Sequence, residues 1–280
     1  MWLVVVFACI ELHNIRICTH VRLVSRLRPF AGMQHLDVAG GTGDIGLRVL
    51  RAIRAAEAER GNAVEPGRVT VSDINADMLE AGKRDVHAKW KRLGRGIGGT
   101  RLRMGDDGVR WVTADAERLP FDDCSFDSYT IAFGIRNCTN PSAVLDEAWR
   151  VLKPGGVFMC MEFSRINNPI AAQAYDYYSF NVIPMIGQVA VGDAESYRYL
   201  VESIKQFPDQ ETFKDMVEDS GLRMVTYDNI LDGVVAIHCG VKIQDDDDDV
   251  VPPTKDTSAS FSVPKDSSSS SEASAPREKV

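Results

Sequence analysis

A glycine-rich loop is the part of this sequence best suited to bind a cofactor. It follows a short apolar run and precedes a stretch with helical spacing. Glycines here let the backbone turn tightly and let a ligand approach the start of a helix. The string from Gly41 to Gly46 matches the dinucleotide pattern G-x-G-x-x-G, which is weak alone because a glycine turn can be purely structural. The candidate binding residues of the loop are Asp37, Gly40, Gly41, Thr42 and Gly43.

Two carboxylates bracket this loop and distinguish between two classes of cofactor. Asp37 precedes the glycines and Asp44 follows them. A dinucleotide places its pyrophosphate at the start of the helix, where two carboxylates would repel it. S-adenosylmethionine carries a sulfonium and an amino-acid tail, so acidic neighbours are tolerated. The charges therefore favour S-adenosylmethionine over NAD.

Further polar positions follow the next two predicted strands. Asp73 ends the second strand, where a carboxylate can accept hydrogen bonds from ribose hydroxyls. It could instead cap the following helix. Asp115 and Ala116 follow the third strand, where an adenine ring would lie at the carboxyl edge of a parallel sheet. Together these positions predict a nucleoside-binding edge.

Strands and helices alternate along the chain in a way that would place these residues together. Apolar runs predict strands at 34–38, 69–72, 109–113, 126–133 and 157–163, and helical spacing predicts helices at 45–58, 78–93, 141–152 and 208–220. The stretch from Lys153 to Gly156 is predicted to end a helix, and 94–108 to be a loop. A strand pair at 222–230 and 234–242 would turn at Asp232-Gly233. The pattern predicts an α/β fold with a doubly wound, mostly parallel seven-stranded sheet and a helical insertion near 165–207.

Composition excludes several other classes of protein. The net charge of −8 argues against a nucleic-acid surface. The six cysteines have no Cys-x-x-Cys or zinc spacing, and Asp245–Asp249 lacks the spaced ligands of a calcium loop, so no metal site is expected. Residues 1–10 are apolar but too few to span a bilayer, and no other segment resembles a transmembrane helix. We predict an atypical segment at 1–21, a catalytic domain at 22–243 and a disordered acidic, serine-rich tail at 244–280.

Several strings resemble the ubiquinone/menaquinone C-methyltransferase family (UbiE type). The resemblance runs from about Arg22 to Ile243. The glycine loop and LKPGG occur in many methyltransferases, whereas FGIRN and the aromatic strings are more specific to this family. The strings are LDVAGGTGD (36–44), ADAERLPF (114–121), FGIRN (133–137), VLKPGG (151–156), AYDYYSFNVIP (174–184) and SYRYLVESI (196–204).

The resemblance implies roles for individual residues. It implies that S-adenosylmethionine contacts Thr42 in the loop, Asp73 at the ribose, and Asp115 with Ala116 at the adenine. Ala132 stands at a cofactor position where the family often has Ser, so a side-chain hydrogen bond is lost there. Arg136 and Asn137 resemble the pair that the family places at the quinol substrate, and they are the candidate catalytic residues.

The resemblance also implies a substrate and a location. In the mitochondrial branch of the family the substrate is 2-methoxy-6-polyprenyl-1,4-benzoquinol, methylated on a ring carbon in ubiquinone biosynthesis. We therefore expect a peripheral protein on the matrix side of the mitochondrial inner membrane, associated with other ubiquinone-biosynthesis proteins, with a homodimer as a further expectation. Tyr175, Tyr177, Tyr178 and Phe180 would either form a lid over the polyprenyl tail or pack against the sheet.

A chemical hypothesis and three alternatives accompany this reading. Arg136 would stabilise a developing aryloxide while a water takes the proton, with Asn137 orienting the water or the hydroxyl; the alternative is an Arg136 paired to a surface carboxylate.

The substrate could also be a demethylmenaquinol. A NAD(P)-dependent oxidoreductase would also use the glycine loop, but no hydride-transfer constellation supports it. Because Met1–His20 does not resemble the family's N-terminal pocket segment, a non-catalytic member of the biosynthetic complex is the third alternative.

Overall fold

Seven strands form a single sheet in the order β3-β2-β1-β4-β5-β7-β6. A computed structural model describes residues 18–60, 65–93, 108–166, 168 and 194–244. The strands are β1 (Gln34–Val38), β2 (Arg68–Asp73), β3 (Val109–Thr113), β4 (Phe126–Ala132), β5 (Leu152–Phe163), β6 (Arg223–Ile230) and β7 (Val235–Val241). The helices are α1 (residues 18–27), α2 (Asp44–Arg60), α3 (Ala76–Leu93), α4 (Pro141–Val151), α5 (Ala194–Gln206) and α6 (Gln210–Asp219), with short 3-10 turns at Ile135–Asn137 and Leu231–Gly233.

The direction of the strands collects the predicted site residues at one edge. β1 pairs in parallel with β2 and with β4, β2 with β3, and β4 with β5, whereas β7 is antiparallel to both β5 and β6. The chain therefore winds outward from β1 in both directions. A ligand crevice is expected between β1 and β4, at the carboxyl ends where the winding reverses. The glycine loop follows β1 at this point, which confirms the predicted doubly wound fold.

Alternating side chains of the central strands pack against helices on both faces of the sheet. On β5, Phe158 and Cys160 belong to one hydrophobic cluster and Met159 and Met161 to another. The first cluster includes residues of α4 and α6, and the second includes residues of α1 and α2. This period of two along a buried strand is why β5 has an almost continuous apolar sequence.

Helix starts are fixed by short polar side chains. Asn75 Oδ1 accepts hydrogen bonds from Asp77 N (3.0 Å) and Met78 N (3.2 Å), which caps the start of α3. Asn140 Oδ1 accepts one from Ala143 N at 3.3 Å, and Pro141 follows it as the first residue of α4. Such residues satisfy amide groups that have no partner within the helix.

The region around Lys153–Gly156 differs from the sequence prediction. β5 begins at Leu152, and its register with β4 shifts between Phe126 and Ser128. Gly155, at φ +80°, donates from its amide to the carbonyl of Lys242 at 2.7 Å. The predicted break before a strand at 157 is therefore wrong, because contacts with the end of β7 hold this stretch in the sheet.

Lys242 fastens the end of the domain to α4. The residue is 6% exposed, and its ammonium donates to the carbonyls of Trp149 and Leu152, each at 2.9 Å. It also lies 4.0 Å from the centre of the Trp149 ring. A cation at the carboxyl end of a helix pairs with carbonyls that the helix leaves unsatisfied.

The remaining predictions fall partly outside the described residues. The turn at Asp232-Gly233 is confirmed, with both residues at positive φ. Of the predicted insertion near 165–207, α5 is described. The four aromatic residues between Tyr175 and Phe180, the loop at 94–107, Asp245–Asp249 and the remainder of the tail lie outside the described residues. Within the described ranges no helix has the length and apolar character to cross a bilayer.

Candidate functional site

The glycine loop is built so closely that side chains cannot replace its glycines. A Cβ on Gly40 would come within 2.7 Å of Val71 Cγ1, and a Cβ on Gly43 within 2.6 Å of Trp111 Cη2. Gly41 and Gly43 have φ of +54° and +76°, a region that favours glycine. The glycine pattern is therefore required by backbone conformation and by packing against neighbouring strands.

Asp37 braces this loop from inside the sheet. Its side chain is buried, and its two oxygens accept hydrogen bonds from Gly46 N (2.9 Å) and Thr130 Oγ1 (2.8 Å). Burial raises the pKa of Asp37 to about 7, against the two hydrogen bonds, which lower it. Thr130 also contacts His35 Nε2 at 3.1 Å, and burial lowers the pKa of that imidazole to about 3. Asp37 lies at the floor of the crevice with both oxygens already engaged by the protein.

The second bracketing carboxylate is neutralised. Lys89 Nζ lies 3.0 Å from Asp44 Oδ1 and donates to the carbonyl of Thr42 at 2.9 Å. With Asp44 paired and Asp37 buried, the loop presents less negative charge than its sequence indicates. The sequence argument that two carboxylates would repel a pyrophosphate therefore counts more negative charge than the loop presents.

Asp73 is placed at the carboxyl end of β2, beside the loop. Its Oδ2 accepts from Gly41 N and its Oδ1 from Asn75 N, each at 2.8 Å. The side chain that caps α3 is Asn75, so the alternative role of Asp73 as the helix cap is wrong. Asp73 lines a cavity and remains partly exposed, which leaves carboxylate lone pairs available to a ligand.

One cavity of about 290 Å³ lies over the ends of β2, β3 and β4. It brings together the predicted adenine residues and one of the predicted catalytic residues. The predicted site residues in its lining are Asp73, Asp115, Ala116 and Asn137. Cys138 also lines it, but burial raises the pKa of its thiol to about 11, so the nucleophilic thiolate is scarce at neutral pH.

A second cavity of about 420 Å³ lies between the glycine loop and the ends of β4 and β5. Its lining includes Gly40, Gly41, Thr42, Ala132 and a group of apolar side chains. Among the latter, the rings of Phe133 and Phe163 lie 4.8 Å apart between centroids and are tilted by 45°. The glycine loop and His20 supply polar atoms to this cavity, and the rings of Phe133 and Phe163 form an apolar side of it, here called the aromatic wall. A larger cavity of about 800 Å³, between α1 and the start of β5, contains none of the predicted site residues.

Arg136 lies behind the aromatic wall and lines neither of these two cavities. Its side chain is 9% exposed, and Nη1 donates to Glu162 Oε1 at 2.7 Å and to the Phe133 carbonyl at 2.8 Å. The guanidinium carbon lies 5.4 Å from the centre of the Phe163 ring. Glu162 is 1% exposed, so the pairing with a surface carboxylate that sequence alone allowed is wrong. Asn137, its neighbour in the 3-10 turn, is exposed.

The comparison with known sequences decides the family. The sequence profile of the ubiE/COQ5 methyltransferase family matches residues 8–242. The chain belongs to this family. It is an S-adenosylmethionine-dependent methyltransferase, so the prediction of S-adenosylmethionine over NAD is confirmed. The match begins before the domain boundary predicted at residue 22, and that boundary remains a prediction.

Curated relatives agree with this assignment, and solved structures share the fold. The mitochondrial 2-methoxy-6-polyprenyl-1,4-benzoquinol methylase of Bos taurus is 46% identical over 244 residues, which covers 79% of this chain and 70% of the relative. That of Drosophila melanogaster is 50% identical over 220 residues, covering 79% and 69%. A methyltransferase from Aquifex aeolicus has a TM-score of 0.52 at 14% identity, covering 80% of this chain and 89% of that one. Phosphoethanolamine N-methyltransferase 2 of Haemonchus contortus, with bound S-adenosyl-L-methionine, has a TM-score of 0.53 at 15% identity, covering 81% and 52%. These structures share the fold.

Sequence reasoning did not include the aromatic wall or the partner of Arg136. Phe133 is the first residue of the string FGIRN, but the sequence does not show that its φ is +54° or that its ring packs against the ring of Phe163. The sequence does contain a sign that Glu162 has a partner, because it is a carboxylate at the end of an otherwise apolar buried strand. Within the described residues, no group of three His, Cys, Asp or Glu side chains could hold a metal ion.

Proposed function

We propose that this protein methylates a ring carbon of 2-methoxy-6-polyprenyl-1,4-benzoquinol in ubiquinone biosynthesis. The observation that carries the proposal is the identity of 45–50% to relatives named for that reaction in animals, a plant and an amoeba. The apolar wall of the second cavity supports it, because a substituted aromatic ring is flat and largely apolar.

The residues of the carboxyl edge fit S-adenosylmethionine. The glycine loop leaves its backbone open to the amino-acid end, and Asp73 offers carboxylate oxygens for ribose hydroxyls. Asp115 and Ala116 border the space for the adenine, and Ala132 lies where the two cavities approach each other across Phe133. When bound, S-adenosylmethionine supplies an electrophilic methyl group on its sulfonium.

The protein contributes alignment and charge stabilisation to the reaction. A quinol ring carbon becomes nucleophilic when a ring hydroxyl loses its proton, because negative charge then spreads to the ortho and para carbons. Holding the two reactants in line inside a crevice that excludes water accounts for much of the acceleration available to such a transfer. The Phe133–Phe163 wall holds the ring. Arg136 lies behind this wall and is paired with Glu162, so it acts on the developing aryloxide through the wall and not by direct contact. Asn137 orients the water or hydroxyl that carries the proton.

Incubation of the purified full chain with S-adenosylmethionine and short-chain quinols tests the proposal. We expect mass spectrometry to detect a singly methylated benzoquinol whose new methyl group is on carbon. A demethylmenaquinol analogue in a parallel reaction tests the naphthoquinol alternative, and faster turnover of that analogue would overturn the assignment to the benzoquinol. Binding of S-adenosylmethionine without turnover of either quinol would favour the non-catalytic role.

We also propose a mitochondrial location, peripheral to the inner membrane on its matrix side. The support is that the relatives carry the word mitochondrial in their names and that their substrate is a polyprenyl lipid. Association with other ubiquinone-biosynthesis proteins and a homodimer belong to the same proposal. Fractionation of mitochondria with carbonate extraction tests it, because a peripheral protein is released whereas an integral one stays with the membrane.

A further inference from the structure

The ion pair between Arg136 and Glu162 is unusual because it is buried and only one oxygen of the carboxylate takes part in it. Nη1 of Arg136 and Oε1 of Glu162 are 2.7 Å apart, in side chains 9% and 2% exposed. Arg136 Nε and Glu162 Oε2 are buried and have no hydrogen-bond partner in the described part of the chain. Arginine–carboxylate pairs are frequently bidentate, an arrangement that occupies both carboxylate oxygens. Burying two charges costs several kcal/mol per ion, so such a pair is weak support for a structural role.

The contacts of this pair lead to the aromatic wall. Arg136 donates to the Phe133 carbonyl at 2.8 Å and lies over the Phe163 ring. Glu162 Oε1 also accepts from the Phe163 amide at 2.8 Å. Each member of the ion pair therefore contacts a residue of the wall directly. Phe133 has φ +54°, a conformation that an L-residue holds only when its surroundings impose it.

We propose that Glu162 is a positioning residue for the methyl acceptor, holding Arg136 against Phe133 and Phe163 so that the two rings form a fixed wall for the acceptor ring. The identity of the acceptor in this role rests on the proposed function. The coupling of Glu162 to the two rings through Arg136 does not, because it would act on any flat aromatic acceptor. Phe163 lines the cavity of about 420 Å³ and not the one that contains Asp73 and Asp115, whereas Phe133 lines both, so losing the orientation of Phe163 weakens acceptor binding more than donor binding.

The variant Glu162→Gln tests the coupling, because it keeps the shape of the side chain and removes its charge. Arg136 would then be a buried cation without a counter-ion and would move toward solvent, releasing the Phe133 carbonyl. We expect the KM for the quinol to rise at least about tenfold, which corresponds to the loss of roughly 1.4 kcal/mol of acceptor binding. The Kd for S-adenosylmethionine should stay within about twofold of wild type.

Glu57 offers a matched control. Its two carboxylate oxygens accept from Arg54 Nη1 at 2.7 Å and from the Gly67 amide at 2.6 Å, so it resembles Glu162 in chemistry but lies far from the crevice. Glu57→Gln should lower the melting temperature while leaving the quinol KM unchanged. A rise in KM in both variants would show a general effect of destabilisation and would overturn the positioning role.

A readout without acceptor separates this proposal from the proposed function. The amides of Phe133 and Phe163 bond to the Met161 carbonyl and to Glu162. Hydrogen exchange at these two amides should accelerate at least about tenfold in Glu162→Gln while the glycine-loop amides exchange as in wild type. Unchanged exchange would overturn the coupling even if the quinol is the substrate. Failure of the wild-type enzyme to turn over the quinol, with accelerated exchange in the variant, would overturn the substrate and retain the coupling.

If Glu162→Gln does not fold, Arg136→Met combined with Glu162→Met replaces it, because apolar side chains of similar volume usually substitute for a buried ion pair without loss of stability. This double variant should melt near the wild-type temperature and still show rapid exchange at Phe133. A double variant with wild-type exchange at Phe133 would refute the role of the pair.

Discussion

The buried carboxyl group of Asp37 should give this protein a stability that depends on pH in a predictable way. Asp37 accepts hydrogen bonds from Gly46 and Thr130, and its burial raises its pKa from 3.8 to about 7. The informative perturbation is Asp37→Asn, which removes ionisation and keeps the shape. Thr130 can turn its hydroxyl toward His35, so an amide at position 37 can still form hydrogen bonds.

The pKa values of Asp37 in the unfolded and folded protein determine whether its contribution to stability rises or falls with pH. A carboxyl group whose folded pKa is raised binds its proton more tightly in the folded state. Its contribution to stability is complete below about pH 4 and is lost as the pH rises toward about 7. At about 1.4 kcal/mol for each pH unit, the full loss is on the order of 4 kcal/mol. Between pH 5 and pH 8 the wild-type protein should lose roughly 2–3 kcal/mol relative to Asp37→Asn.

Urea unfolding of both proteins at several pH values, without S-adenosylmethionine, measures this difference. Subtracting the two curves removes the titration of the groups that the proteins share. The difference in the free energy of unfolding should fall with pH and level off above about pH 7. A difference that stays flat from pH 5 to pH 8 would refute the reasoning, because it would mean that Asp37 is already ionised in the folded protein at pH 5.

Three further variants test the loop, the ribose position and the end of the domain. Gly43→Ala should weaken S-adenosylmethionine binding by more than about tenfold in calorimetry, because a Cβ would collide with the indole ring beneath the loop. Gly155→Ala is its control, with a similar positive φ and no atom of the described residues within 4 Å of the added Cβ, and it should bind normally. Asp73→Asn should weaken binding by about 10- to 100-fold, as expected for loss of charged hydrogen bonds, whereas the exposed Asp77→Asn should not. Lys242→Met should lower the melting temperature by roughly 5–10 °C, since it leaves two helix-end carbonyls unsatisfied.

The parts of the site that sequence predicted well are those that depend on local order. A strand followed by glycines and then a helix fixes the position of the loop, and a carboxylate at the end of the next parallel strand must lie beside it. Asp73 accordingly bonds to Gly41, although 32 positions separate them. The fold class followed from the same alternation of strands and helices, and the antiparallel end of the sheet followed from the Asp232-Gly233 turn.

The parts that sequence did not predict depend on pairings between distant residues. Lys89 reaches Asp44 from α3, and Glu162 reaches Arg136 from β5. Neither pairing follows from spacing, because the position of a long side chain depends on how two helices or strands pack. The charge argument for the cofactor shows the consequence. It selected the correct cofactor from two carboxylates, yet one of them is neutralised by Lys89 and the other is buried.

Strand pairing sets the shape of the crevice between β1 and β4. Ala39 and Phe133 follow these adjacent strands, and both have positive φ although neither is glycine. Each such residue costs on the order of 1 kcal/mol or more. The neighbouring strands stabilise the two bends, since the residue after Ala39 donates to Ser72 at 3.0 Å and Phe133 donates to Met161 at 2.8 Å. The segments that follow β1 and β4 thus turn away from the sheet while still hydrogen-bonded to it, and strand pairing sets the opening between them. A site of this kind holds its shape through the sheet, so the part left to side chains is the orientation of the aromatic wall, where Glu162 and Arg136 act.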